Sequence, residues 1–97
     1  MEFKVKVVDT VSQETSESVV TVRKGTSHKT VALKGVEDHV NKFAADPLDF
    51  MSEVKYLHRE AFDTEDFIGW LKQDLDLEVK VIDVNNLEEW KTLLPTF

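Results

Sequence analysis

The sequence contains no cysteine, which excludes disulfide bonds, thiolate zinc sites, iron–sulfur clusters and a cysteine nucleophile. It also lacks a run of about 18 apolar residues, the length that a membrane-spanning helix requires. Only 3 glycines and 2 prolines occur in 97 residues, so no segment has the composition of a long flexible linker. We therefore predict one soluble domain over residues 1–97, with no membrane segment, no metal site and no cofactor.

Basic residues are scarce, since 12 Lys and Arg stand against 19 Asp and Glu and the formal net charge is -7. Residues 1–34 carry 6 basic and 4 acidic side chains, whereas residues 35–97 carry 6 basic and 15 acidic ones. Phosphate backbones are bound by clustered Lys and Arg, so nucleic acid is not the expected partner of this chain. The first residues alternate charged and apolar side chains, unlike a signal or transit peptide, and we expect a cytoplasmic protein.

The N-terminal third has the pattern of a β-hairpin. Apolar and charged residues alternate over residues 2–7, and residues 19–23 are rich in β-branched side chains. The polar segment between them, residues 10–18, is long for a hairpin loop, which usually has about 2–5 residues. A second alternating segment after Asp74 predicts another strand, with Leu75, Leu77, Val79 and Val81 on its apolar face.

Four helices are predicted between and after these strands. Val36, Val40 and Phe43 follow helical spacing, and this first helix begins as early as Val31 unless residues 31–33 form a strand instead. Asp46 followed by Pro47 is typical of a helix start, and a third helix is predicted to begin after Asp63 or Thr64. A capping-box pattern over residues 86–89 predicts a last short helix that contains Leu87, Trp90 and Leu94.

The helix that starts at Pro47 is predicted to hide one half of its surface and to expose an acidic half. Steps of about 100° per residue divide its side chains between the two halves. The predicted hidden half comprises Leu48, Phe50, Met51, Val54, Leu57, His58, Ala61 and Phe62.

Together these patterns predict an α+β fold. It consists of an N-terminal β-hairpin plus a C-terminal strand forming a small sheet packed against three or four amphipathic helices. The first strand and the strand after Asp76 are candidates for pairing at the centre of that sheet.

The histidines offer little for catalysis. His58 falls on the hidden half of its helix, where a neutral core histidine with one hydrogen bond is the simpler explanation, and His28 and His39 are expected on the surface. The alternative is a small enzyme that uses His58 as a base with Glu60 or Asp63 nearby. Side chains two residues apart on a helix do not face each other, so the spacing disfavours a pair of His58 with Glu60. We predict no catalytic residue.

The function predicted from the sequence is that of a small acidic binding or regulatory domain. Its acidic helical side would face a basic surface on a protein partner, with a tryptophan as the apolar anchor. First-turn carboxylates also stabilise helices without any partner, and the tryptophans would equally serve self-association. The predicted contact residues are Asp49, Glu53, Glu60, Asp63, Asp66, Trp70 and Trp90.

A third, weaker hypothesis is nucleic-acid binding through Lys4, Lys6 and Arg23 on the outer face of the hairpin. Exposed cations on strands usually protect sheet edges against aggregation. Aromatic residues do not alternate with these cations, so the stacking surface of a single-strand binder is missing.

Overall fold

The computed structural model describes residues 1–84. Its elements are β1 (Glu2–Asp9), β2 (Thr15–Thr21), α1 (His28–Phe43), α2 (Pro47–Glu60), α3 (Thr64–Leu75) and β3 (Leu77–Asp83). The three strands form one small antiparallel sheet in the order β2-β1-β3. The predicted α+β class is confirmed, with three helices in this part of the chain. The fourth predicted helix, with Trp90, lies outside the described residues.

β1 is the central strand, and the expected pairing of the first and last strands is present. Val5 lies opposite Ser18 of β2 and opposite Val81 of β3. Alternate residues of β1 point to opposite faces, and Phe3, Val5 and Val7 are buried under the helices. The core therefore lies between one face of the sheet and the three helices.

α1 begins at His28, three residues before the earliest predicted start, and the alternative strand over residues 31–33 is wrong. Ser27 is the reason, since its side chain caps the helix by accepting a hydrogen bond from the amide of Thr30. The buried side of α1 includes Val31, Val36 and Val40.

α2 begins at Pro47 as predicted, with Asp46 as the cap. The predicted burial is wrong for two residues of the hidden half, since Leu48 is 87% exposed and Phe62 is 89% exposed. Leu48 lies about 120° around the helix from the fully buried Val54. Phe62 follows the end of the helix, so helical spacing does not apply to it.

The boundaries around β2 and β3 differ from the prediction. β3 begins at Leu77 and Leu75 belongs to α3, because Asp76 adopts a left-handed conformation (φ 56°) that ends the helix. β2 already begins at Thr15, so the connection to β1 is shorter than the predicted loop over residues 10–18. Among residues 1–84, no helix is long and apolar enough to cross a membrane.

Candidate functional site

One exposed line of α2 carries three of the predicted contact residues. Asp49, Glu53 and Glu60 are four and seven residues apart, an interval that returns to the same side of a helix. Tyr56 lies on the same line and is 52% exposed. We call these four residues the acidic ridge.

The acidic ridge borders a groove between α2 and α3. Tyr56 and Glu60 line it from α2, and Trp70 and Asp74 line it from α3. Its volume is about 410 Å³. Trp70 is half-buried and packs against the hydrophobic core with part of its ring system. The fold thus brings Glu60 and Trp70, two predicted contact residues, to one place, which we call the α2–α3 groove.

One cation already sits on the acidic ridge. The guanidinium carbon of Arg59 lies 5.6 Å from the centre of the Tyr56 ring, within the range of a cation–π contact. Arg59 Nε is also 3.9 Å from a carboxylate oxygen of Glu60. Both side chains of this ion pair are largely exposed, so the contact adds little stability and leaves Glu60 accessible.

Asp63 and Asp66 have a local role at the start of α3. Asp63 caps the helix, because its Oδ1 accepts a hydrogen bond of 2.9 Å from the amide of Asp66. Asp66 lies in the first turn, where a carboxylate is stabilised by the helix dipole. Neither residue lines the α2–α3 groove, and the remaining predicted contact residue, Trp90, lies outside the described residues.

His58 is half-buried, and the ring meets Phe67 edge-on with centroids 5.2 Å apart. Its Nε2 is buried and has no hydrogen-bond partner in residues 1–84, contrary to the expected single hydrogen bond. Burial lowers the pKa of His58, and the nearby Lys29 ammonium lowers it further. No hydrogen bond joins His58 to Glu60 or Asp63 within the described chain. Among residues 1–84, therefore, no carboxylate is placed to act with this imidazole in base catalysis.

His39 is the residue that the sequence reasoning missed. It was expected on the surface, but it is only 3% exposed, and its Nδ1 lies 2.8 Å from Ser16 Oγ in a buried hydrogen bond. Burial lowers the pKa of His39, whereas the carboxylates of Asp9 and Glu14 oppose that shift. A signal was present, since His39 follows the buried Val31 by eight residues and shares the inner side of α1.

A cleft opens beside His39, between the β1–β2 connection, the end of α1 and the start of α2. Its volume is about 350 Å³. Phe43 and Phe50 form part of its apolar wall, and the carboxylates lining it are those of Asp9, Glu14, Asp46 and Asp49. We call it the His39 cleft; Asp49 is thus shared between this cleft and the acidic ridge.

The proposed basic face of the hairpin is not assembled as expected. Lys4 is 3.4 Å from Glu17 across the β1–β2 pair, and Lys6 lies opposite the same Glu17. β2 ends at Thr21, so Arg23 follows the strand and lines a pocket with Lys34 of α1 instead. The three cations therefore do not form one continuous surface on the sheet.

Across residues 1–84, no group of three or more His, Asp or Glu side chains has an arrangement that would hold a metal ion. Compared with protein families, with curated proteins and with solved structures, the chain shows no match.

Proposed function

We propose that this chain is a small cytoplasmic binding or regulatory domain, without catalytic activity, that docks a basic segment of a partner protein. The acidic ridge would attract the segment, and the α2–α3 groove would hold one of its apolar side chains. The observation that carries this proposal is the meeting of Glu60 and Trp70, from two different helices, at one groove.

The charge of the acidic ridge supports a basic partner. Asp49 and Glu53 are exposed and form no ion pair with another described residue, so their charges remain available. The whole chain carries a formal net charge of -7, which adds a long-range attraction for a cationic segment. Such complementarity mainly raises the association rate, and the effect weakens as salt is added.

The aromatic side chains of the groove support a specific contact in addition to this attraction. Trp70 is half-buried and already held by the core, and Tyr56 stands half-exposed across the groove. Tryptophan and tyrosine are enriched among the interface residues that contribute most binding energy. A segment with an apolar side chain between lysines or arginines matches this combination of charge and aromatic surface.

The proposal is tested by selecting displayed peptides against the intact protein. Selected peptides are expected to combine Lys or Arg with an apolar residue and to bind more weakly as salt rises. Their affinity should fall by about tenfold or more for the variant Glu53→Gln/Glu60→Gln and again for Trp70→Ala. The matched control is Glu37→Gln/Asp38→Asn, which removes the same charge from exposed positions of α1 and should leave binding unchanged.

Two results would overturn the proposal. One is a selection without basic peptides, or with basic peptides that bind the ridge variant and the wild type equally. The other is a concentration-dependent dimer, seen by light scattering, that Trp70→Ala dissociates, because the groove would then belong to a second copy of this chain. Folding of every variant is checked by urea unfolding, so that lost binding is not confused with lost structure.

A further inference from the structure

The His39 cleft lies at the opposite end of α2 from the α2–α3 groove and shares only Asp49 with the acidic ridge. Its volume of about 350 Å³ falls in the lower part of the range of small-molecule sites, roughly 300–1,000 Å³. We propose that this cleft binds a small organic cation: an amine or guanidinium group attached to a compact apolar body.

The apolar part of such a ligand has a surface to meet. Phe43 and Phe50 line the cleft from α1 and α2, and Leu77 lines it from the start of β3. Leu77 belongs to the hydrophobic core and Phe50 packs against it, whereas Phe43 contacts the ring of the buried His39, with centroids 4.9 Å apart. The wall is therefore supported by residues that the fold holds in place.

The carboxylates of the cleft are also held in place. Asp9 Oδ1 accepts hydrogen bonds from the amides of Val11 and Ser12, and Asp46 Oδ1 accepts one from the amide of Asp49. Within residues 1–84 the second oxygen of Asp46 accepts no further hydrogen bond, and the carboxylates of both residues line the cleft. Because their positions are set before binding, a cation meets them without the entropy loss of ordering long side chains.

Two further carboxylates increase the negative charge of the cleft. Glu14 Oε1 accepts a hydrogen bond of 2.9 Å from the Ser12 hydroxyl, and Asp49 forms no ion pair within residues 1–84. No Lys or Arg is among the described residues that line the cleft, and Lys42, which acts electrostatically on His39, holds its ammonium 5.2 Å from the centre of the Phe43 ring. Four carboxylates against one ammonium make the cleft a site for positive charge.

His39 distinguishes this cleft from a simple cluster of acidic residues. The side chain is almost fully buried, its Nδ1 is engaged by Ser16, and the ring lines the cleft. Nε2 has no hydrogen-bond partner among the described residues and is the ring nitrogen left for a ligand. An imidazole nitrogen on a side chain held in this way supplies the directional polar contact that small-molecule sites use to orient a ligand.

The test uses phenethylamine and agmatine as probes, with 2-phenylethanol as the neutral isostere of the amine and 3-phenylpropionate as an anion. Binding is followed by two-dimensional amide NMR on the intact chain. At least one cation should bind saturably with shifts centred on Phe43 and Phe50, and about tenfold or more tightly than the neutral isostere. The anion should not bind.

Asp49→Asn should weaken binding by about tenfold, whereas Asp38→Asn, an exposed carboxylate of α1 outside the cleft, should have no effect. His39→Leu should weaken binding as well, and Asp49→Asn keeps the test decisive if the buried substitution fails to fold. Equal binding of the alcohol and the amine would overturn the proposal. So would shifts centred on Trp70, or the absence of binding for both cations at about 10 mM.

Discussion

Gly35 of α1 lies directly on Val5 of β1, so closely that a methyl group added to the glycine would overlap the valine side chain. The contact joins the first helix to the central strand at the middle of the core, where Val5 is fully buried. Glycine costs a helix interior up to about 1 kcal/mol relative to alanine. The close approach of α1 to the sheet is the physical reason for glycine at this position.

Replacing Gly35 with alanine should therefore destabilise the protein by about 1–3 kcal/mol, because overpacking outweighs the gain in helix propensity. Gly69 is the matched control, since it is also helical but nothing lies within 4 Å of the position of an added Cβ. Gly69→Ala should stabilise the protein by about 0.5–1 kcal/mol. Urea unfolding followed by circular dichroism measures both changes. A Gly35→Ala variant as stable as the wild type would contradict the packing.

Contacts between elements that are distant in the sequence, such as that of Gly35 with Val5, could not be predicted from the sequence. The start of α2 was predictable, because the cap Asp46 and Pro47 act on their own neighbours in the chain. The buried position of His39 was not, because it depends on Ser16, 23 residues away in another element. Local signals of caps and periodicity determine where helices begin, whereas the burial of a polar side chain depends on which elements meet.

The candidate site likewise combines features that local sequence determines with features that the packing of helices determines. Spacing alone placed Asp49, Glu53 and Glu60 on one exposed line of α2. It did not show that Trp70 would meet Glu60 at a groove, because the packing of α3 against α2 decides that contact. The boundary between α3 and β3 was also misplaced, since one residue in a left-handed conformation interrupts two apolar periodicities that overlap in the sequence.

The hydrogen bond between Ser16 and His39 gives a second prediction. Ser16→Ala removes the partner of a buried ring nitrogen and should cost about 1–3 kcal/mol of unfolding free energy. Ser18 is the control on the same strand, because its buried hydroxyl has no hydrogen-bond partner in the described chain. Ser18→Ala should be neutral or slightly stabilising in the same denaturant series. Equal losses for the two variants would show that the bond with His39 contributes nothing.

The stability of the protein should fall as the pH drops below about 6.5. Burial lowers the pKa of both His39 and His58 below 6.5, so the unfolded chain binds more protons than the folded one in this range. Asp9 and Glu14 oppose the shift at His39, and Lys42 adds to it. Each histidine contributes a slope of at most about 1.4 kcal/mol per pH unit.

Urea unfolding at pH values between about 7.5 and 5.5 tests this slope. His39→Gln and His58→Gln should each flatten it, and the double variant should flatten it most. The pKa of Asp9 is lowered from 3.8, chiefly by the hydrogen bond from the Ser12 amide, so its titration lies at more acidic pH. A stability that stays constant or rises toward pH 5.5 would contradict the burial of the two imidazoles.

Asp63 should act on stability through its hydrogen bond rather than through its charge. Asp63→Ala removes the cap of α3 and should cost about 1 kcal/mol. Asp63→Asn keeps an oxygen that accepts a hydrogen bond from the amide of Asp66, so it should lose only a few tenths of a kcal/mol of unfolding free energy. Thermal unfolding separates the two variants. If both lose the same stability, the charge is the larger contribution and the capping argument is wrong.

Lys29 connects α1 to the end of α2, because its ammonium donates a hydrogen bond of 2.7 Å to the carbonyl oxygen of Ala61. Lys29→Met keeps most of the apolar stem and removes the charge, so it should destabilise the protein by about 1–2 kcal/mol. It should also raise the pKa of His58, since the ammonium is one of the two influences that lower it. Lys34→Met, on an exposed part of the same helix, is the control. NMR titration of the His58 ring measures the shift, and an unchanged or lower pKa in Lys29→Met would show that the ammonium does not act on this imidazole.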